Sequence, residues 1–265
     1  MLRDDLVLGA HLEGPFLAPD NRGAHDLQHL RAPSADLIDR ILSAGAGVLR
    51  QVTIAPELEG ALDAIRRFAD HGITVAVGHT QADYVLSKAA FDAGARILTH
   101  AFNAMPGIHH RNPGPVMAAA SDPRVTLELV LDAVHVEPVV AGGLFQLAPG
   151  RVALITDAMA AAGAPDGRYQ LGSLDVDAAD GVARLDRSNT IAGSTLTQDQ
   201  ALRVAVNSAG LDLPTAVRSL THTPATALHL GHELGMLRTG YKADLVALSP
   251  DFSVLRVWTN GLRAS

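Results

Sequence analysis

Residues 73–100 read ITVAVGHTQADYVLSKAAFDAGARILTH. An apolar, β-branched run, Ile73–Val77, gives way to a helical pattern over Gln81–Ala93, and a second apolar run, Arg96–His100, follows. The runs are apolar on successive residues rather than alternate ones, the pattern of strands covered on both faces in a parallel sheet. Thr80 stands before the helical segment with Asp83 three residues on, close to a capping box. Strand, helix and strand in this order predict one turn of an α/β fold, with one histidine just after the first strand run and another closing the second.

The same unit recurs in both directions. Upstream lie the runs Leu6–His11 and Val48–Ile54, with helical patterns at Ser34–Ala44 and Glu59–His71. Downstream lie Val125–Leu131 and Val152–Thr156, with a helical pattern at Glu137–Leu147. Six strand runs alternating with helices predict a parallel sheet of the (β/α) barrel type. After Asp157 the pattern changes. Tyr169–Val176 and Val182–Leu185 flank Asp180-Gly181, a hairpin signal. Helices are expected again at Leu196–Ala209, Pro214–Leu220 and Pro224–Leu230. Short strands are expected at Asp244–Leu248, Val254–Trp258 and Asn260-Gly261-Leu262. The domain reading is a barrel over residues 1–233 with a β-hairpin insertion at about 166–190, then strands of a small β domain over 234–265.

Composition narrows the chemistry. The 265 residues are 48% hydrophobic and only 4% aromatic, so the core is built from Ala, Val, Leu and Ile. A net charge of -7 without a Lys/Arg stripe argues against a nucleic-acid partner. There is no cysteine, so any metal must be held by histidines and carboxylates. No long apolar run suggests a membrane span, and residues 1–15 have no basic n-region or h-region, so a cytoplasmic protein is expected.

The informative surplus is the histidines and where they fall. Glu13 follows the first strand run, Glu57 lies just past the second, His79 follows the third and His100 closes the fourth. The fifth is followed by Asp132 and His135, and the sixth by Asp157. A lone histidine at a strand end is most often a satisfied structural residue. Strand after strand ending this way points to a shared metal or acid/base site, because barrel strands converge at their C-terminal ends. Two imidazoles and a carboxylate suit zinc or a similar divalent ion with an open position for water. Such an ion brings the pKa of a bound water down to ~7, and a carboxylate that is not a main ligand can carry the proton. Asp157 is the candidate carrier. His11 is read as a neighbour of the site or a further ligand, and Glu57 as a partner to a ligand or a plain strand-end carboxylate. His109 and His110 are expected in solvent, and His71, His222, His229 and His232 within or at the ends of helices.

Several segments carry a resemblance. They are His11-Leu12-Glu13-Gly14-Pro15-Phe16 with Arg22-Gly23-Ala24-His25, then Thr53-Ile54-Ala55-Pro56-Glu57, and Gly78-His79-Thr80. Thr99-His100-Ala101-Phe102-Asn103-Ala104-Met105-Pro106 with Arg111-Asn112-Pro113-Gly114, and Thr156-Asp157-Ala158, follow in order. Ile191-Ala192-Gly193-Ser194 and Gly240-Tyr241-Lys242-Ala243-Asp244-Leu245-Val246 complete the set. Together, from residue 6 to the end, they resemble the N-acetylglucosamine-6-phosphate deacetylases of the amidohydrolase superfamily.

The resemblance implies hydrolysis of the acetamido group of N-acetyl-D-glucosamine 6-phosphate, giving D-glucosamine 6-phosphate and acetate. It implies Glu13, His79 and His100 as ligands of one divalent metal ion, with zinc first and iron, manganese or cobalt as alternatives. It implies Asp157 as general base and acid, and His25, beside Ala24, as a catalytic histidine that contacts the acetamido group and helps polarise its carbonyl. Asn103, Ala104, His135 and the Ile191-Ala192-Gly193 loop match sugar-phosphate contacts. Arg111 matches a phosphate contact reached from a neighbouring subunit, which implies a homodimer. Other readings are an amidohydrolase acting on a different N-acyl sugar or cyclic amide, or an inactive remnant that binds a sugar phosphate. The family's chain begins well upstream, with half of the small β domain and two barrel strands, one bearing a His-x-His motif. The expected fold is therefore a (β/α)8 barrel missing its first two strands; the readings of its origin are a reading frame that starts further upstream, which is preferred, a truncated gene, or another chain that fills the gap.

Overall fold

The computed structural model describes residues 7–186 and 188–264. The chain divides into two units, Met1–Glu128 and Leu129–Ser265. In the first, β1 (Ala10–Glu13), β2 (Leu49–Ile54), β3 (Thr74–Val77), β4 (Ile97–Leu98) and β5 (Thr126–Val130) pair in parallel and in chain order. The division falls within β5. Register brings the strand ends level: Glu13 pairs with Thr53, Ile54 with Val77, and Leu98 with Leu127. All four residues of β3 are buried, as the unbroken apolar run predicts.

The helices between these strands are amphipathic. In α1 (Ala35–Ala44) Ser34 accepts the Leu37 N–H as N-cap. In α2 (Ala61–Asp70) the buried residues are Ala61, Ala64, Ile65 and Phe68, the i, i+3, i+4, i+7 stripe that one helical face requires. Phe68 is fully buried, with its ring 6.3 Å from that of Phe16. In α3 (Tyr84–Ala93) the cap is Asp83, which accepts the Leu86 N–H at 2.8 Å, so the helix starts three residues later than the Gln81 start predicted. A short helix that the sequence reading did not include, α4 (Gly114–Ala120), precedes β5.

A buried carboxylate ties α3 to the turn after α4. Asp122 accepts from Lys88 Nζ at 2.6 Å, Arg124 Nε at 2.9 Å and Arg124 Nη2 at 2.6 Å. The Arg124 guanidinium holds the Asp122 carboxyl well below the usual carboxylate range, with Lys88 assisting against the cost of burial. Asp122→Ala is expected to lower stability by about 1–3 kcal/mol, read as a fall in urea midpoint at unchanged m-value. The lower half of that range is favoured, because both cations are partly exposed and water replaces some of the lost contact.

The second unit contains the end of β5, then α5 (Pro138–Leu147) and β6 (Val152–Ile155), the sixth strand in the sheet order. A three-stranded antiparallel sheet follows, of β7 (Gly167–Leu171), β8 (Leu174–Ala179) and β9 (Val182–Leu185). Helices α6 (Gln198–Asn207), α7 (Leu213–Leu220) and α8 (His222–Ala227) precede a second such sheet, of β10 (Leu245–Leu248), β11 (Val254–Thr259) and β12 (Leu262–Arg263). Asp180 and Gly181 both have positive φ, 51° and 78°, as a type I′ turn demands, so that hairpin stands where its dipeptide places it.

Several strand boundaries differ from expectation. The first strand is Ala10–Glu13, and Leu6 of the expected run lies outside the described residues. The Tyr169–Val176 run is two strands, because Gly172 at φ 59° turns the chain between them. Asn260-Gly261 is a turn (φ 51° and 77°) and not a strand, for the same reason as Asp180-Gly181. The fourth strand ends at Leu98, since the backbone leaves the extended region before His100. Among the described residues no helix is long and apolar enough to cross a membrane.

Candidate metal centre

Glu13 closes β1, and three imidazoles face its carboxylate. His79 Nε2 lies 3.4 Å and His100 Nε2 3.3 Å from Oε1, while His25 Nε2 lies 3.2 Å from Oε2. The His79 and His100 Nε2 atoms are 2.9 Å apart. The rings meet edge to face, with centroids 4.9 Å apart for His25 and His79 and 4.7 Å for His79 and His100. Burial pushes the Glu13 carboxyl upward, but hydrogen bonds from His100, His25 and His79 outweigh it and hold the group below the usual carboxylate range. The cluster therefore presents one carboxylate and three imidazole nitrogens.

The backbone explains why the rings point inward. His79 and His100 follow β3 and β4 in left-handed conformation, at φ 48° and 27°, and Phe102 and Ala104 share it at 78° and 51°. Positive φ on such residues costs energy and persists where neighbouring structure enforces it, which is common at functional sites. Gly78 allows the approach: a Cβ there would stand 2.7 Å from Thr99 Cβ and 2.9 Å from Thr53 Cγ2. The loop after β1 then wraps the site. The Ala18 N–H donates to the His79 carbonyl at 2.9 Å. The Asn21 carbonyl lies 2.8 Å from His79 Nδ1. A carbonyl only accepts, so Nδ1 is the donating nitrogen there and Nε2 is the atom turned to the cluster. Gly23, with space for a Cβ only 3.3 Å from His79 Cε1, lets this loop close and carry His25 in.

The donor set fits a divalent ion. Without cysteine, imidazole and carboxylate are the ligands available, and they converge here with one ring already fixed in the ligating tautomer by a backbone carbonyl. Glu13, His25 and His79 each offer an atom within 4.8 Å of the others, the spacing of a candidate metal site.

The remaining expected residues are distributed over both units. In the first unit, the Asn103 side chain donates to the carbonyls of His100 and Ala101, both at 3.3 Å. The Ala104 carbonyl accepts the Thr80 N–H. Arg111 is exposed on its loop, where the His109 and His110 rings meet at a tilt of 43° with centroids 4.2 Å apart. His11 is turned to Thr53, with Nε2 2.8 Å from Oγ1, and Thr53 continues to Thr99 at 2.9 Å. This makes it a neighbour of the cluster rather than a fourth imidazole upon Glu13.

In the second unit, Asp132 accepts from His135 Nδ1 at 2.6 Å, which leaves Nε2 as the outward nitrogen of the ring. Asp157 stands at φ 50° after β6. Its carbonyl accepts the Ser194 N–H at 2.7 Å, and Ser194 Oγ donates to the Thr156 carbonyl. Gly193 sits where a Cβ would come 2.9 Å from that Asp157 carbonyl, so the Ile191-Ala192-Gly193-Ser194 loop and the end of β6 close on each other. What sequence reasoning did not find are the backbone groups, the Asn21 carbonyl above all, and the Thr53–Thr99 link, for which a threonine before a strand end is a weak signal.

The chain matches the amidohydrolase family over residues 2–263. It is 42% identical to an N-acetylgalactosamine-6-phosphate deacetylase of Escherichia coli O157:H7, over 98% of this chain and 68% of that protein. It is 40% identical to the N-acetylglucosamine-6-phosphate deacetylase of Vibrio furnissii, over 96% of this chain and 64% of the relative. The structure of the Mycobacterium smegmatis N-acetyl-D-glucosamine-6-phosphate deacetylase D267A mutant, in complex with N-acetyl-D-glucosamine-6-phosphate, superposes at TM-score 0.95 and 46% identity. That match covers 99% of this chain and 70% of the other. The chain thus spans about two thirds of the length of these relatives. By sequence, fold and the cluster at its strand ends, this chain belongs to the amidohydrolase family, in the branch of the N-acetylated amino-sugar 6-phosphate deacetylases.

Proposed function

We propose that this chain catalyses hydrolysis of the acetamido group of N-acetyl-D-glucosamine 6-phosphate, releasing acetate and D-glucosamine 6-phosphate. The observation that carries the reading is the convergence of three imidazoles on the Glu13 carboxylate at parallel strand ends, in a chain of this family. Glu13, His79 and His100 would hold one divalent ion, zinc first. The chemistry a bound ion supplies is Lewis acidity, which polarises a carbonyl and makes water a nucleophile near neutral pH. His25, beside Ala24, orients the acetamido group and hydrogen-bonds its carbonyl oxygen. Asp157 takes the proton of the attacking water and returns it to the leaving nitrogen, so that amide and water become amine and acetate. His135, its tautomer set by Asp132, holds a sugar oxygen, as do Asn103, Ala104 and the Ile191-Ala192-Gly193 loop. Arg111 binds the 6-phosphate of a neighbouring site in a homodimer, since a planar guanidinium matches two phosphate oxygens.

The fold reading that goes with this function is a (β/α)8 barrel without its first two strands over residues 1–233. Residues 234–265 form part of a small β domain.

Acetate release by purified, zinc-loaded chain tests the proposal. Activity on the phosphorylated sugar, lost with a chelator and restored by zinc, is expected. No release from any N-acetylated amino-sugar 6-phosphate would sink it. Removing the phosphate from the substrate is expected to lower kcat/KM by about 10- to 100-fold, the worth of one or two charge-assisted hydrogen bonds. Equal rates with and without phosphate would remove Arg111 from the site. A second reading, the C4 epimer N-acetylgalactosamine 6-phosphate as substrate, is favoured by the 42% identity to the Escherichia coli relative and is decided by the same assay.

A further inference from the structure

Glu57 lies three residues past β2, and its carboxylate does not join the Glu13 cluster. Its oxygens accept the Thr80 hydroxyl and the Gln81 N–H, each at 2.5 Å. Thr80 and Gln81 are the two residues that follow His79, the imidazole whose backbone stands in the left-handed region. Thr80 is fully buried, and its other polar bonds are used as well. Its N–H donates to the Ala104 carbonyl at 3.1 Å, and its hydroxyl oxygen accepts the Ala82 N–H at 2.9 Å. Gln81 in turn donates from Nε2 to Asp20 at 3.3 Å, next to the Asn21 carbonyl that sets the His79 tautomer. His79 is therefore gripped from both sides: by the loop after β1 on its ring and carbonyl, and by Glu57 on the peptides that follow. A conformation this unfavourable for a residue with a side chain is kept only by such surroundings.

We propose that Glu57 is a positioning residue: by holding the Thr80 hydroxyl and the Gln81 N–H it keeps His79 in the turn that aims Nε2 at Glu13, and so sets how tightly the centre retains a divalent ion. This rests on the reading that Glu13, His79 and His100 hold such an ion. A carboxylate suits the task because both of its oxygens accept, whereas an amide offers one acceptor to two donors. Groups that orient metal ligands in this way typically change metal affinity by 10- to 100-fold when removed.

The test is zinc(II) affinity of the full 265-residue chain, by competition with a chromophoric chelator. Glu57→Ala is expected to bind zinc about 10- to 100-fold more weakly than wild type. Asp122→Ala, which breaks an equally well-bonded carboxylate away from the cluster, is expected to lose stability but stay within about twofold in affinity, so a general loosening of the fold is told apart from positioning. Zinc affinity of Glu57→Ala within about twofold of wild type overturns the proposal. If Glu57→Ala does not fold, Glu57→Gln keeps the length while losing one acceptor, and wild-type affinity in that variant overturns it equally. A wild-type chain that binds no zinc, manganese, iron or cobalt overturns the metal reading itself, and this proposal with it, an outcome distinct from wild-type binding that Glu57 does not affect.

Discussion

Asp157→Asn is expected to cut turnover by about 10²- to 10⁴-fold, the usual worth of a positioned acid/base group, while zinc content stays at the wild-type level. An amide of the same shape cannot take a proton from water or return one to an amine. The variant should also fold. Asp157 has φ 50°, a region where Asn is among the best-tolerated side chains. Two bonds at this turn, from the Ser194 N–H to its carbonyl and from Ser194 Oγ to the Thr156 carbonyl, do not involve its side chain and are left in place by the substitution. Single-turnover acetate release and metal analysis on the same sample check both halves. Turnover near the wild-type rate would remove Asp157 from the proposed mechanism, and loss of metal would make it a ligand instead of a proton carrier.

Glu13→Ala is expected to weaken zinc binding by about 10²- to 10³-fold or more, taking about 3–5 kcal/mol for the loss of one partner from a partly buried charged cluster. Glu13 is the one anion in the group. Without it, His79 and His100 keep their Nε2 atoms 2.9 Å apart with no negative charge to draw a cation between them. The three rings would still be placed by their own loops, since His79 is fixed by Asn21 and Ala18 rather than by Glu13 alone. The effect should therefore appear in chelator competition far more than in the urea midpoint of the metal-free chain. Zinc affinity unchanged in Glu13→Ala would show that the centre does not depend on this carboxylate.

Much of this protein is legible in one dimension because parallel strands covered on both faces leave an unbroken apolar run. The run Ile73–Val77 reads as β3 almost to the residue, and the α2 stripe of Ala61, Ala64, Ile65 and Phe68 follows from helical spacing. Dipeptides that demand positive φ, such as Asp180-Gly181, are legible for the same local reason. Asn260-Gly261 carries that signal too, and reading it as strand neglected it. Where local signals conflict, the boundaries move. Arg96–His100 is apolar enough for a strand, yet the chain leaves it at Leu98, because His100 is held in a turn that hydrophobic pattern does not encode. The helix α4 begins at Gly114-Pro115, residues that otherwise read as a break.

The site divides along the same line. Residue types and their order along the chain identify Glu13, His79, His100 and Asp157 as the groups to consider, because in a parallel sheet the ends of successive strands come level and a cysteine-free chain has only imidazole and carboxylate with which to hold a metal. Tertiary structure decides the rest: that His25 reaches Glu13 across a loop and His11 turns to Thr53, and which nitrogen of His79 faces the carboxylate. These depend on a backbone carbonyl at Asn21, a missing Cβ at Gly78 and the left-handed turn that Glu57 steadies from 22 residues away in sequence, as Glu57 and His79 are numbered. A carbonyl has no side chain to announce it, and a turn enforced by distant partners has no local signature, so such features exist only once the chain is folded.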